Sequence, residues 1–166
     1  AAYRVALQAA LTKGASVLDK GESALDAAEQ VVRALEDDPL FNAGRGAVFT
    51  AAGRNELDAA IMDGTTLKAG AVAGITGTRN PISLARAVME KSPHVMLISA
   101  GAETFGQQNG VEQADAVWFF TERRWQSLKR TLAERGLRIT LQPDLRWQLR
   151  TAKTTQLLYA VLIKEE

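Results

Sequence analysis

Between Leu67 and Ile75 the sequence reads as a β-strand, yet its middle, Ala69-Gly70-Ala71-Val72-Ala73-Gly74, carries almost no side-chain volume. Glycine inside a strand weakens it, and leaves space for a neighbouring backbone or layer to approach closely. The run therefore predicts a strand pressed between other elements. Glu56 to Met62 reads as the strand before it, with Asp63-Gly64 as the hairpin signal between the two. Ala47-Val48-Phe49-Thr50, followed by a turn over Ala52-Gly53-Arg54-Asn55, completes an expected three-stranded meander covered by helices.

The flanks supply the helices. Tyr3, Leu7, Ala10, Leu11, Gly14, Val17 and Leu18 keep a 3–4 spacing, and Gly21 is a natural stop. Ser23 reads as an N-cap with Asp26 three residues on, and Leu25, Ala28, Val32 and Leu35 give a second helix its apolar stripe. Asp37-Asp38-Pro39 ends that helix, because the residue before proline is pushed out of helical geometry. Asn80-Pro81 opens a third helix with Ile82, Ala85, Val88 and Met89 on one face. Val95 to Ile98 is expected as a short buried strand, Gly101 to Gln108 as a brief helix, and Trp125, Leu128 and Leu132 as a face of another helix ending near Gly136. Leu137 to Leu141 alternates weakly, as a strand does. Residues 144–163 admit a helix, and Leu157–Ile163 a strand.

Composition narrows the classes. The 166 residues are 46% apolar and 23% charged, which excludes wholesale disorder and suits a globular domain. There is no Cys, so disulfides, zinc–thiolate sites, iron–sulfur clusters and cysteine nucleophiles are excluded. A single histidine, His94, leaves little room for multi-histidine metal sites, and a structural role is expected for it. No apolar run nears the roughly 20 residues of a membrane span and no signal-peptide pattern opens the chain. A soluble, cytoplasmic chain without a membrane partner is expected. Residues 1–120 hold 10 Lys/Arg against 14 Asp/Glu, and residues 121–166 hold 10 against 5. That basic end reads as a solvated face rather than a nucleic-acid site, since phosphate binding needs a denser cluster.

The residues that could carry chemistry gather in the middle. Pro39-Leu40-Phe41-Asn42-Ala43-Gly44-Arg45-Gly46 embeds one amide among apolar residues and glycines, a loop able to point Asn42 inward while carbonyls converge on a small cation. A tight loop entering a strand would look the same. Glu56 and Asp58 share a strand face, with Asp63 beyond, and could be acid and base, metal ligands or a hydrogen-bonded strand end. Gly74 to Arg79 has phosphate-loop glycines but lacks the Gly-Lys-Ser/Thr ending, and reads as a turn. Trp118, Trp125 and Trp147 suit core and interface anchoring better than base stacking.

Several ordered motifs together resemble the plant-type asparaginase/isoaspartyl peptidase family. They are Gly21-Glu22-Ser23-Ala24-Leu25-Asp26-Ala27, the Pro39 to Thr50 run, Glu56-Leu57-Asp58-Ala59, Met62-Asp63-Gly64 and Thr66 to Gly74. Arg79-Asn80-Pro81, Met89 to Met96, Gly101-Ala102-Glu103 and the aromatic, basic stretch from Phe119 to Trp125 continue the likeness, which covers residues 5–128. The resemblance implies an α/β (α+β) fold, the αββα four-layer sandwich of N-terminal-nucleophile hydrolases, with this chain as its α-subunit half: 1–130 the α-portion-like domain, 131–166 a divergent basic segment. It implies hydrolysis of asparagine and β-aspartyl dipeptides by an N-terminal Thr, freed by autoproteolysis of a precursor, on a β portion, in an (αβ)2 assembly.

Carried over, Asn42 lines the active site and orients the nucleophile. The resemblance likewise implies that the main-chain carbonyls of Leu35, Glu36, Asp38, Phe41, Ala43 and Arg45 hold a structural sodium ion. No other cofactor is expected. The chain departs from the family in two ways. It starts inside the helix that follows the family's opening His-Gly-Gly-Ala-Gly strand, and it lacks the Gly-Thr-Val-Gly motif, since Thr140, Thr151, Thr154 and Thr155 have no such glycine neighbours. The expectation is therefore a scaffold inactive by itself. The alternative is an asparaginase-like remnant acting as a binding or assembly module.

Overall fold

The structure, a computed structural model, describes residues 1–137. The expected strand at Leu137–Leu141, the helix or strand within 144–163, Trp147 and the four C-terminal threonines lie at or beyond that limit, outside the described residues except for Leu137. Two helices open the chain, α1 over Ala2–Asp19 and α2 over Ala24–Asp37. They pack through small residues. A methyl group on Gly14 would stand 2.5 Å from Val31 Cγ2, so only a bare Cα lets them cross this closely. The expected start of α2 is a full capping box: the Asp26 N–H donates to Ser23 Oγ at 3.1 Å, and the Ser23 N–H donates back to Asp26 Oδ2 at 3.1 Å. Hydrogen bonding from Ser23 first, and from Arg86 next, holds the Asp26 carboxyl down to about 2.

Strand β1 (Leu57–Met62) pairs antiparallel with β2 (Ala69–Ile75). The connection is longer than the dipeptide turn that Asp63-Gly64 suggested. Asp63 N–H and C=O both bond across it, to Lys68 and Leu67, and Leu67 takes the left-handed conformation at φ 59°. Asp63 pins the loop from within, accepting from the Thr65 N–H and the Thr66 hydroxyl.

Helix α3 (Pro81–Lys91) crosses back over the sheet, and β3 (Met96–Ile98) then joins β2 in parallel, giving the order β1-β2-β3. The meander expectation is thus corrected. Ala47 to Thr50 contributes one isolated bridge, Phe49 to Asn55, and the third strand arrives by a helical crossover, as a parallel pair requires. The bare middle of β2 has its reason: a Cβ on Gly70 would lie 2.6 Å from the Met89 N–H nitrogen and closer still to the Ala85 carbonyl, so α3 rests on the strand backbone.

Three helices follow β3: α4 (Ser99–Gln108), the single turn α5 (Ala116–Phe119), and α6 (Glu122–Glu134), which closes the described chain. The core lies between sheet and helices, built on Leu57, Val72, Ile75, Leu84, Val88 and Phe119. A second aromatic cluster, Phe49, Phe120 and Trp125, fastens α6 to the segment after the Asn42 loop. One strand departs from its expected burial. β3 turns only Leu97 inward, while Met96 and Ile98 are 51% and 61% exposed. They belong to the sheet face opposite α3, in register with Ala71 and Ala73 and, further along, beside Ala60 and Met62. A three-residue apolar run gives no hint of which face is covered.

Candidate active site

The Asn42 loop is built by denying a helix its hydrogen bonds. Along α2 the carbonyl of Leu35 would normally receive the N–H of residue 39, but that residue is proline and has none. The carbonyl of Glu36 would receive the Leu40 N–H, which turns instead to Asp38 Oδ1 at 2.9 Å. Leu35 O keeps only a long 3.4 Å contact from Asp38 N–H, and Asp38 O a 3.3 Å contact from Phe41 N–H. Ala43 O accepts from Gly46 N–H at 2.9 Å, while the carbonyls of Glu36, Phe41 and Arg45 receive no hydrogen bond among the described residues. Gly44 and Gly46 are demanded by this crowding. A side chain on Gly44 would meet Glu36 Cβ at 2.8 Å, and one on Gly46 would meet the Pro39 carbonyl at the same distance.

Three further carbonyls are held by the protein's own cations. Arg123 donates through Nη2 to Pro39 O at 2.7 Å and to Leu40 O at 2.9 Å; Arg124 donates through Nε to Gly46 O at 2.6 Å. Tyr3 adds its hydroxyl to Leu40 O and an edge-on contact to the Phe41 ring. Charged hydrogen bonds of this kind are about twice as strong as neutral ones. Helices α1 and α6 together grip the loop on both sides of Asn42.

Asn42 is exposed as a whole and fixed at one end, its Oδ1 accepting the Val48 N–H at 2.9 Å. It lies on the wall of a cavity of about 310 Å3 that also meets Glu36, Ala47, Glu56, Asp58 and Pro81. The structure thus brings together Asn42 and the two carboxylates of the Glu56–Asp58 pair. Asp58 already accepts from the Gly74 N–H at 2.9 Å, which makes it a strap between β1 and the end of β2. Asp63 lies in the far hairpin loop, and His94 is exposed after α3, its N–H donating to Ser92 Oγ. Among the described residues no group of three or more acidic or imidazole side chains is placed to hold a metal ion.

Sequence reasoning missed several participants. Asn55, expected only in a turn, is buried and donates Nδ2 to the Ala47 and Val48 carbonyls, squaring up the chain beyond Asn42. The sequence points to Glu36 only through its carbonyl, yet the residue is 3% exposed and its side chain accepts the Ile82 N–H in the first turn of α3 at 3.0 Å. Burial pushes this carboxyl up to about 7, against the opposing pull of the bond from the Ile82 N–H. The Gly74–Arg79 turn is also explained: its backbone donors at Thr76 and Gly77 are filled by Glu103 of α4. The phosphate-loop likeness is a carboxylate bound within the chain.

A family model described as asparaginase matches residues 1–156 of this chain. The chain belongs to the asparaginase family. The matched stretch runs past residue 128, where the motif likeness stopped. The isoaspartyl peptidase of Escherichia coli strain K12 is 53% identical over 126 residues, 76% of this chain and 39% of that protein. The plant-type L-asparaginase of Thermococcus kodakarensis is 53% identical over 105 residues, 63% of the chain and 34% of the relative. The isoaspartyl peptidase of Salmonella typhimurium is 48% identical over 126 residues, covering 76% and 40%. This asparaginase-family chain thus spans little more than a third of the length of the curated relatives it matches. The mixed helix-and-sheet fold is compatible with membership, and no helix among its described residues is long and apolar enough to cross a membrane.

Proposed function

We propose that this chain is the α portion of a threonine-dependent amidohydrolase that cleaves asparagine and β-aspartyl dipeptides once joined to a β portion bearing an N-terminal Thr. The supporting observation is the cavity wall at Asn42. An amide locked by the Val48 N–H, on a loop clamped by Arg123 and Arg124, is held ready for a reactive group arriving from another polypeptide. In that arrangement the threonine hydroxyl attacks the side-chain amide carbon of the substrate, its own α-amine takes the proton, ammonia or an amino acid leaves, and water resolves the acyl-enzyme. The work of this chain is positioning. Asn42 orients the neighbours of the nucleophile, and the loop holds Asn42.

A sodium ion belongs to the same reading. The carbonyls of Leu35, Glu36, Asp38, Phe41, Ala43 and Arg45 are neutral oxygen donors, several of them deprived of hydrogen bonds, and this donor set suits a hard monovalent cation. The ion would supply rigidity to the loop. The exposed face of Ala60, Met62, Ala71, Met96 and Ile98 supports the four-layer αββα sandwich, with a second sheet from the β portion laid over it in an (αβ)2 assembly.

The test is turnover of a β-aspartyl dipeptide by the chain alone and by the complex with its β portion. The chain alone is expected to be silent and the complex active, with Asn42→Ala lowering kcat about 100-fold, the scale of a misplaced reacting group. Turnover by the isolated chain would refute the two-part reading. A complex indifferent to Asn42→Ala would refute the site. Intact-mass measurement of the native material, finding no second chain with an N-terminal Thr, would favour the binding-module alternative.

A further inference from the structure

Arg45 sits in the turn between Asn42 and Val48, and among the described residues its guanidinium meets no carboxylate. Its Nε is buried with no hydrogen-bond acceptor. What it does meet is an aromatic face: the guanidinium carbon lies 4.8 Å from the centre of the Trp118 ring. The same ring carries a second cation, with Arg79 at 4.4 Å. Two guanidiniums within 5 Å of one indole repel each other, so something must hold the second in place. Glu112 does so at 2.7 Å and Asp37 at 3.2 Å. Trp118 is itself fixed by the Asp115 cap of α5, whose carboxylate accepts the Trp118 N–H at 3.0 Å.

Asp37 is the last residue of α2, where the Asn42 loop departs, and Arg45 lies in the turn where the loop returns. The contacts therefore run from one arm of the loop through Arg79 and Trp118 to the other arm. We propose that Trp118 is a positioning residue, a π-face brace that closes the Asn42 loop by holding Arg45 against Arg79. The brace rests on the reading of that loop as the wall of the active site, and its contribution to turnover acts through Asn42. The guanidinium lies over the ring's electron-rich face, and among the described residues neither Arg45 Nε nor Trp118 Nε1 has a hydrogen-bond partner, so the attraction is to the face itself. A benzene ring can replace the indole in this role, and an aliphatic side chain of similar bulk cannot.

The experiment compares Trp118→Phe and Trp118→Leu in the assembled enzyme by amide hydrogen exchange and by kinetics with a β-aspartyl dipeptide. In Trp118→Leu the Gly46, Ala47 and Val48 amides are expected to exchange about tenfold faster, the Val72 amide in β2 to be unchanged, and kcat to fall about tenfold with KM within twofold. Trp118→Phe should stay within twofold of wild type in every reading. Equal losses in the Phe and Leu variants, or acceleration spread over β2, mean ordinary packing and overturn the proposal. So does wild-type exchange in Trp118→Leu. Should the Leu variant fail to assemble, Arg45→Gln releases the same arm without touching the core and must give the same local acceleration. Exchange is read without substrate, so the brace stands or falls separately from the active-site reading, which Asn42→Ala kinetics decide.

Discussion

Glu36 carries a charge that the fold works against, and removing it gives a quantitative test. The carboxyl lies between the end of α2 and the start of α3, 3% exposed, with Oε1 accepting the Ile82 N–H and Oε2 buried without a partner among the described residues. Burial raises it from its ordinary 4.5 to about 7. At about 1.4 kcal/mol per pH unit, the ionised form costs the folded state about 3 kcal/mol. The direction follows from the raised value. Below pH 4.5 both folded and unfolded chains hold the proton and nothing is lost. As pH rises toward 7 the unfolded chain ionises first, stability falls, and above 7 the full cost is present. Glu36→Gln keeps an acceptor for Ile82 and discards the charge. Urea unfolding from pH 4 to 8, in buffers free of sodium and potassium, should show the variant near wild type at pH 4.5 and about 3 kcal/mol more stable at pH 8. Parallel pH profiles for the two proteins, or a variant weaker at pH 8, would refute the reasoning.

Gly70→Ala should destabilise by about 3 kcal/mol or more in thermal unfolding, because the added methyl strikes α3 backbone that cannot swing aside; Gly64→Ala, with open space around it, should stay within about 1 kcal/mol. Ser23→Ala should cost about 1 kcal/mol by removing the acceptor at the start of α2. An NMR titration of the same variant should find the Asp26 carboxyl released upward from about 2, with Arg86 still restraining it.

Where local chemistry decides, the sequence was readable. Ser23 with Asp26 and the bare middle of β2 each have one physical reading, and each stands in the structure as that reading requires; Asn80-Pro81 does open α3, but the Asn80 side chain makes no capping bond and Glu36 accepts the Ile82 N–H in its stead. Long-range pairing was not readable. Nothing local to Ala47–Thr50 says that it forms a single bridge, or that a strand 20 residues beyond β2 will pair with it in parallel. At the site the same division holds. The loop announced itself through Pro39, Asn42 and its glycines, while the groups that hold it, Arg123, Arg124, Asn55 and the Glu36 side chain, come from positions that look like ordinary surface or turn residues until the chain is folded. Trp118 likewise reads as an anchor by type, and its two arginines are 73 and 39 residues away in the chain.

The side of the sheet left exposed among the described residues has a chemical consequence. Met62 and Met96 present their thioethers to solvent, at 56% and 51% exposure, whereas Met89 on α3 is enclosed. Peroxide will convert the first two to sulfoxides well before the third, planting polar oxygens on a surface otherwise made of alanine and isoleucine. A second layer seated there would shield both sulfurs, and a chain oxidised beforehand would be a poor surface on which to seat it.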